Sequence, residues 1–221
     1  MTERFTDHLR ALVEPIWRAQ REHPFVRAIA DGSVDRGRFR FWVRQDYLFL
    51  IEYARLFGIA TARAPDLATM NAFATLTRET LETEMNLHRA YAAEFGISEA
   101  QLEAETKAPA TQAYTDFLLR TAALGDYAEL VAALLPCMWG FSELGTALKA
   151  RGLPDDPLAA RWIESYAAPE FVQLAAWCRD LMDGLAAGLD DAARKRCEDA
   201  FVTSSRYELR FWEMAERLET W

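Results

Sequence analysis

The sequence predicts an all-α fold, and three observations carry that prediction. Glycine and proline are scarce, 10 and 8 in 221 residues, and they fall between stretches of helical periodicity. No stretch sustains the apolar–polar alternation of a half-buried strand. Hydrophobic residues make up 51% of the chain, which is ample for a core at this length and excludes a disordered chain.

A first helix is expected from about Thr2 to Glu22, with Phe5, Leu9, Leu12, Val13, Ile16 and Trp17 on one stripe. His23-Pro24-Phe25 interrupts it, because proline lacks the N–H that a helix interior uses, and a short helical turn then ends at Gly32. Ser33 and Asp35 are candidate N-caps for a long helix to about Ala62. The next helix is expected as one piece from about Pro65 to Phe95, stopping at Gly96. Ser98-Glu99-Ala100-Gln101 has the form of a capping box for a short helix, and Pro109 opens another that closes at Gly125. Asp126-Tyr127-Ala128-Glu129 repeats the capping-box form and opens an apolar helix ending at Gly152-Leu153-Pro154. Shorter helices follow at about Asp156–Ala167 and Pro169–Leu189, and a last one runs from near Asp190 almost to Trp221. No linker, low-complexity run or repeat divides the chain, so residues 1–221 are read as one helical-bundle domain.

The formal net charge of −9 argues against nucleic acid or an anionic membrane as a partner, since both need a basic surface. The opening MTERFTDHLR is charged and lacks the apolar core of a signal peptide. The longest apolar run, Leu130–Phe141, is shorter than the roughly 20 residues a membrane span needs. Three cysteines, Cys137, Cys178 and Cys197, form no close pair. That usage fits thiols in a reducing cytoplasm better than a disulfide framework.

Polar groups on core-facing stripes are informative, because an unpaired buried carboxylate costs several kcal/mol or more. In LVAALLPCMWGFSELG, Pro136 interrupts an apolar helix, and Cys137 follows on the stripe of Leu130, Leu134, Phe141, Leu144 and Leu148. The expectation is a kink that places the thiol inside the protein, although a lone cysteine on an apolar face is usually core filler. Asp46 falls in the middle of the face made by Phe39, Trp42, Val43, Phe49, Leu50, Tyr53 and Phe57. Glu208 falls in the middle of the face made by Phe201, Phe211, Trp212 and Ala215, with Ser204 and Ser205 one turn earlier. Either acid alone reads as a side chain hydrogen-bonded to a neighbouring helix. Two acids and a thiol pointing inward among aromatics suggest one small acidic, flat-walled hollow for a planar cationic or amino-substituted ring.

Other features have plainer readings. Glu84 and His88, four apart on a helix, read as a structural pair, since a di-iron bundle wants Glu-x-x-His twice and the chain has only 3 histidines. His23 reads as helix-terminal packing, and Cys178 and Cys197 as core filler. No phosphate loop, CxxC pair or GxSxG elbow is present.

The segments HPFVRAIADG at 23–32, FRFWVRQDYLFL at 39–50, EMNLHRAYAAEFGI at 84–97, LLPCMWGF at 134–141, WIESYAAPEF at 162–171 and SSRYELRFWEMA at 204–215 resemble, in order and spacing, the TenA (thiaminase II) family. The resemblance covers nearly the whole chain and implies a haem-oxygenase-like helical bundle acting in aminopyrimidine salvage. It implies Cys137 as nucleophile, Glu208 as acid/base, and Asp46 as the group holding a 4-amino-2-methylpyrimidine ring. It also implies Tyr114 and Tyr166 as pocket tyrosines and Phe211 as the stacking ring. The implied reaction is thiolate addition to a ring protonated at nitrogen, departure of an amine or of the thiazolium of thiamin, and replacement of the sulfur by water. It needs no metal and no organic cofactor. The implied partner is a small pyrimidine or thiamin-derived ligand, and the implied assembly a homodimer or homotetramer. Phe49 and Phe141 stand where many family members carry tyrosine, which leaves a slower or redirected hydrolase and a non-catalytic pyrimidine binder both open. A haem or metal oxidase of the same fold is the third alternative.

Overall fold

The computed structural model describes residues 4–221, and among these every regular element is helical. The order is α1 (Phe5–Arg21), α2 (Pro24–Asp31), α3 (Arg36–Arg63), α4 (Leu67–Glu79), a π-helical turn (Thr80–Glu84), α5 (Met85–Glu94), α6 (Glu99–Glu103), α7 (Pro109–Leu124), α8 (Tyr127–Lys149), α9 (Pro157–Tyr166), α10 (Pro169–Ala186) and α11 (Asp191–Arg217). The expected start of the first helix at Thr2 lies outside the described residues.

Local chemistry explains most boundaries. The Asp35 carboxylate accepts from the Arg38 N–H at 2.9 Å and caps α3, while Ser33 turns back to donate to Asp31. Asp66 and Asp156 cap α4 and α9 in the same way. The capping box at Ser98 is formed, with Gln101 as its reciprocal partner. Pro24, Pro109, Pro157 and Pro169 sit in the first turns of their helices, where the missing N–H has no partner to lose. At the far end of α7, the Arg63 guanidinium donates to the carbonyls of Ala122 and Gly125, satisfying acceptors that the helix leaves open.

The segment expected as one helix from Pro65 to Phe95 is broken in register. Its buried stripe runs Thr69, Phe73, Leu76, Thr80, then Met85, His88 and Tyr91, with Ala92 beside the last. The steps are those of an α-helix except for the step of five from Thr80 to Met85, where the π turn inserts a residue and the Met85 N–H donates to the Thr80 carbonyl. Each inserted residue rotates everything after it by about 100° around the helix axis. The insertion therefore decides which face of α5 is buried.

Two compact units divide the described chain. The first contains residues up to Val34 and Ala128–Glu213. Within it α1 packs on α2 and α10, and α9 on α2 and α10. Its principal apolar element is α8, helical straight through Pro136 and buried on every side from Leu130 to Trp139 except at Cys137. By length and composition α8 is apolar enough to cross a membrane, contrary to the short run expected, because Ala, Gly and Ser extend the apolar stretch beyond Phe141. The window is 72% buried inside the protein, as in a core helix. Gly145 has a packing reason: a Cβ there would lie 2.7 Å from the Tyr166 backbone, so the missing side chain lets the end of α9 approach α8.

The second unit comprises Asp35–Tyr127 and Met214–Trp221. It is organised on α3, which packs against α4, α5, α6 and α7 and is buried on all faces from Gln45 to Leu50. Gln45 staples it to the chain before α7. The Gln45 amide accepts from the Ala108 N–H and the Thr111 hydroxyl, both at 2.8 Å, and donates to the Thr106 carbonyl at 3.1 Å. Glu52, also buried, is matched by Lys107 and Arg55, each at 2.6 Å. Against the burial that opposes ionisation, these two cations hold its carboxyl below the ordinary glutamate range.

Candidate active site

In the first unit, α8 carries Cys137 and, one turn on, Phe141. The thiol is half-buried, not enclosed as the apolar stripe suggested. A stripe argument presumes a helix with one polar face, and α8 has none here; the cysteine marks where its otherwise continuous burial opens. The other two thiols are 0% exposed. The Cys178 thiol lies 3.5 Å from the Met138 sulfur, and burial pushes its ionisation far up. Both are core filler, as expected, so Cys137 is the single thiol that solvent reaches.

One helical turn beyond it, Phe141 anchors an aromatic wall. Its ring centroid lies 4.8 Å from Tyr166 and 5.4 Å from Trp212, and Trp162 lies 4.7 Å from Tyr166. Tyr166 is half-buried, at the edge of this wall. From α11, Phe201, Ser204, Ser205, Glu208, Phe211 and Trp212 are all buried, each one helical turn from another of the set. Glu208 is 3% exposed, on the core face the sequence assigned it. The Ser205 hydroxyl is taken by structure: it accepts from the Trp17 indole N–H at 3.1 Å, while its carbonyl accepts from Gln20.

In the second unit, α3 carries Asp46 and Phe49. The Phe49 ring lies 5.1 Å from Tyr114 and 5.3 Å from Tyr53, which brings Phe49 and Tyr114 together. Asp46 is 6% exposed and bonded to a group that periodicity did not link to it. His88 Nε2 lies 2.5 Å from Asp46 Oδ2, and His88 Nδ1 lies 2.9 Å from the Glu84 carbonyl. The expected Glu84–His88 pair thus runs through Glu84's backbone, and the side-chain partner of His88 is Asp46. The signal available in the sequence was the step of five before Met85, which puts His88 on the stripe of Met85 and Tyr91.

This cluster perturbs its own ionisation. For Glu84, burial pushes the carboxyl up to about 7; His88 opposes the shift, and the Asp46 charge adds to it. For His88, burial opposes protonation, but attraction to Asp46 and the hydrogen bonds to Asp46 and Glu84 outweigh it and raise the imidazole above its ordinary range.

All three histidines are engaged by protein groups. His8 contacts Glu198 at 2.9 Å, His23 caps α2 as expected of helix-terminal packing, and His88 is held as above. Among the described residues no group of three or more His, Cys, Asp or Glu side chains is arranged to hold a metal ion. An open cleft of about 270 Å³ in the first unit is lined by Arg4, Phe5, His8, Arg194 and Glu198. It contains none of the sequence-predicted residues; Arg4 is ion-paired with Asp180 and Asp183, His8 lies 2.9 Å from Glu198, and Arg194 donates to the carbonyls of Ala186 and Leu189.

Residues 10–218 match the model of the TENA/THI-4/PQQC family. The chain belongs to this family. Within it, the chain is 44% identical over 218 residues to the aminopyrimidine aminohydrolase of Halalkalibacterium halodurans, covering 98% of this chain and 97% of that one. The solved structure of a TenA homologue from P. horikoshii OT3 superposes with a TM-score of 0.89 at 29% identity, covering 97% of this chain and 99% of that one. A Shewanella denitrificans domain described as having a heme oxygenase-like fold superposes with a TM-score of 0.74 at 12% identity, covering 96% and 92%. The TENA/THI-4/PQQC chain described here therefore has the haem-oxygenase-like all-helical fold.

Proposed function

We propose that this chain is an aminopyrimidine aminohydrolase of thiamin salvage. It would hydrolyse the C–N bond at the methylene carbon of an aminomethylpyrimidine and release ammonia. The observation that carries the reading is the selective opening at Cys137: one thiol of three meets solvent, on a core helix beside an aromatic wall. The full-length similarity to a curated aminohydrolase supports the same chemistry.

The family resemblance gives each residue a role. Asp46 holds the amino-substituted ring, and Glu208 protonates a ring nitrogen. Protonation makes the ring electrophilic, so the Cys137 sulfur can add without a histidine base. The amine departs from the methylene with the proton it needs, water adds in its place, and the sulfur is expelled. The net change is one water consumed and one ammonia released, with a hydroxymethylpyrimidine formed. Tyr114, Tyr166, Phe49, Phe141 and Phe211 supply ring faces. The enzyme works in the cytoplasm as a homodimer or homotetramer.

A second reading, a pyrimidine binder without turnover, is favoured by Phe49 and Phe141, which lack the hydroxyls of tyrosine. Ammonia release from aminomethylpyrimidine separates the two. Turnover by the wild type that vanishes in Cys137→Ala, with the helical circular dichroism unchanged, supports the hydrolase. An unchanged rate in the variant removes Cys137 from the mechanism, and tight binding without ammonia favours the binder.

A further inference from the structure

The sequence places Asp46 and His88 42 residues apart, and the fold joins them at 2.5 Å. A carbonyl oxygen can only accept, so the contact of His88 Nδ1 with the Glu84 carbonyl puts a proton on Nδ1. A neutral ring would then turn the Nε2 lone pair toward Asp46, lone pair against carboxylate. The short contact therefore holds a proton between Nε2 and Oδ2, and the raised imidazole places it on the ring. The ring is fixed laterally as well, with its centroid 5.9 Å from Trp42 and 6.1 Å from Tyr91. Its orientation depends on the π turn, because without the inserted residue His88 would point about 100° away from α3.

We propose that His88 is a positioning residue, whose ring holds Asp46 in one orientation so that the carboxylate can receive the amino-substituted ring. This rests on the reading of Asp46 given under Proposed function. Oδ2 is committed to His88, so the ligand's N–H groups are met by Oδ1, and the carboxylate cannot rotate to offer the other oxygen. The charged groups acting on His88 are Asp46 from α3 and Glu84 from the π turn. Glu84 in turn faces His88, Asp46 and Glu79. The network thus brings one cation to more than one acid, and Asp46 has the direct bond.

The test is steady-state ammonia release from aminomethylpyrimidine by the full chain, wild type and His88→Gln, from about pH 5 to 9, with calorimetric binding of the same compound. Loss of His88 should raise KM roughly tenfold or more and lower kcat by a smaller factor, since the pair acts on ligand binding. The pH profile of kcat/KM should change as well, because the imidazole that carries the proton between Nε2 and Oδ2 is gone. A KM and a profile matching the wild type overturn the proposal while leaving the aminohydrolase reading intact. Absence of both binding and turnover in the wild type overturns both. If His88→Gln does not fold, nitrogen-15 spectra of the wild-type imidazole decide. Two protonated ring nitrogens whose resonances move on ligand addition support the proposal, and a neutral ring or unmoved resonances overturn it.

Discussion

The unit built on α8 and the unit built on α3 treat their candidate chemical groups differently. Around Cys137 the named neighbours on α8 and the wall beyond Phe141 are apolar and aromatic, and what distinguishes the thiol is access. Around Asp46 access is nearly absent, and what distinguishes the carboxylate is its partner, an imidazole fixed at its other nitrogen by the Glu84 carbonyl. A nucleophile needs an approach path, whereas a buried anion needs compensation before it needs anything else. Two acids of this cluster make the same point. Asp46 has the direct bond to His88, while burial pushes the carboxyl of Glu84, hydrogen-bonded to Thr80, up to about 7.

The sharpest way to break this contrast is at the thiol. Cys137→Ala should abolish ammonia release, whereas Cys178→Ala, in sealed core, should leave kcat within a few-fold and act on thermal stability instead, by about 1–2 kcal/mol. Equal loss of turnover in both would mean that access is not what matters. Next is Glu208→Gln, for which kcat should fall by roughly 10²–10⁴, the range for losing a positioned proton donor, with melting temperature little changed.

The charged cluster predicts a pH dependence. Glu84 is raised in the folded state from 4.5 to about 7, so its favourable contribution is complete below pH 4.5 and is lost as pH rises to about 7. His88, also raised, adds a loss of the same sign as pH climbs above 6.5. Urea unfolding should show stability declining across this window by up to ~3 kcal/mol, and Glu84→Gln should flatten the part below pH 7. A stability that rises over the window contradicts the arrangement.

Gly145→Ala tests the aromatic side. With only 2.7 Å to the Tyr166 backbone, the added methyl must push α9 away, costing about 1–3 kcal/mol in chemical denaturation and raising KM through Tyr166. The smallest effect belongs to Phe49→Tyr with Phe141→Tyr, where added hydroxyls should raise kcat a few-fold if turnover is limited by their absence. No change would say that the ring faces alone suffice.

Helix positions, caps and most core faces were legible from residues 4–221 because they arise from short-range chemistry: prolines in first turns, Asp35 and Ser98 as caps, and stripes at three and four. Asp46, Glu208, Cys178 and Cys197 fall on their assigned faces for the same reason. The exposure of Cys137 was not legible, since α8 is apolar all round and periodicity cannot tell one buried side from another. Nor was the Asp46–His88 bond. It depends on one inserted residue in the π turn, read in the sequence as an uninterrupted helix, and on packing between α5 and α3. Local sequence thus determined which segments are helical and which faces are apolar. Which polar side chain meets which, and where solvent reaches the core, followed from the packing of distant segments, because those energies exist only once the helices are side by side.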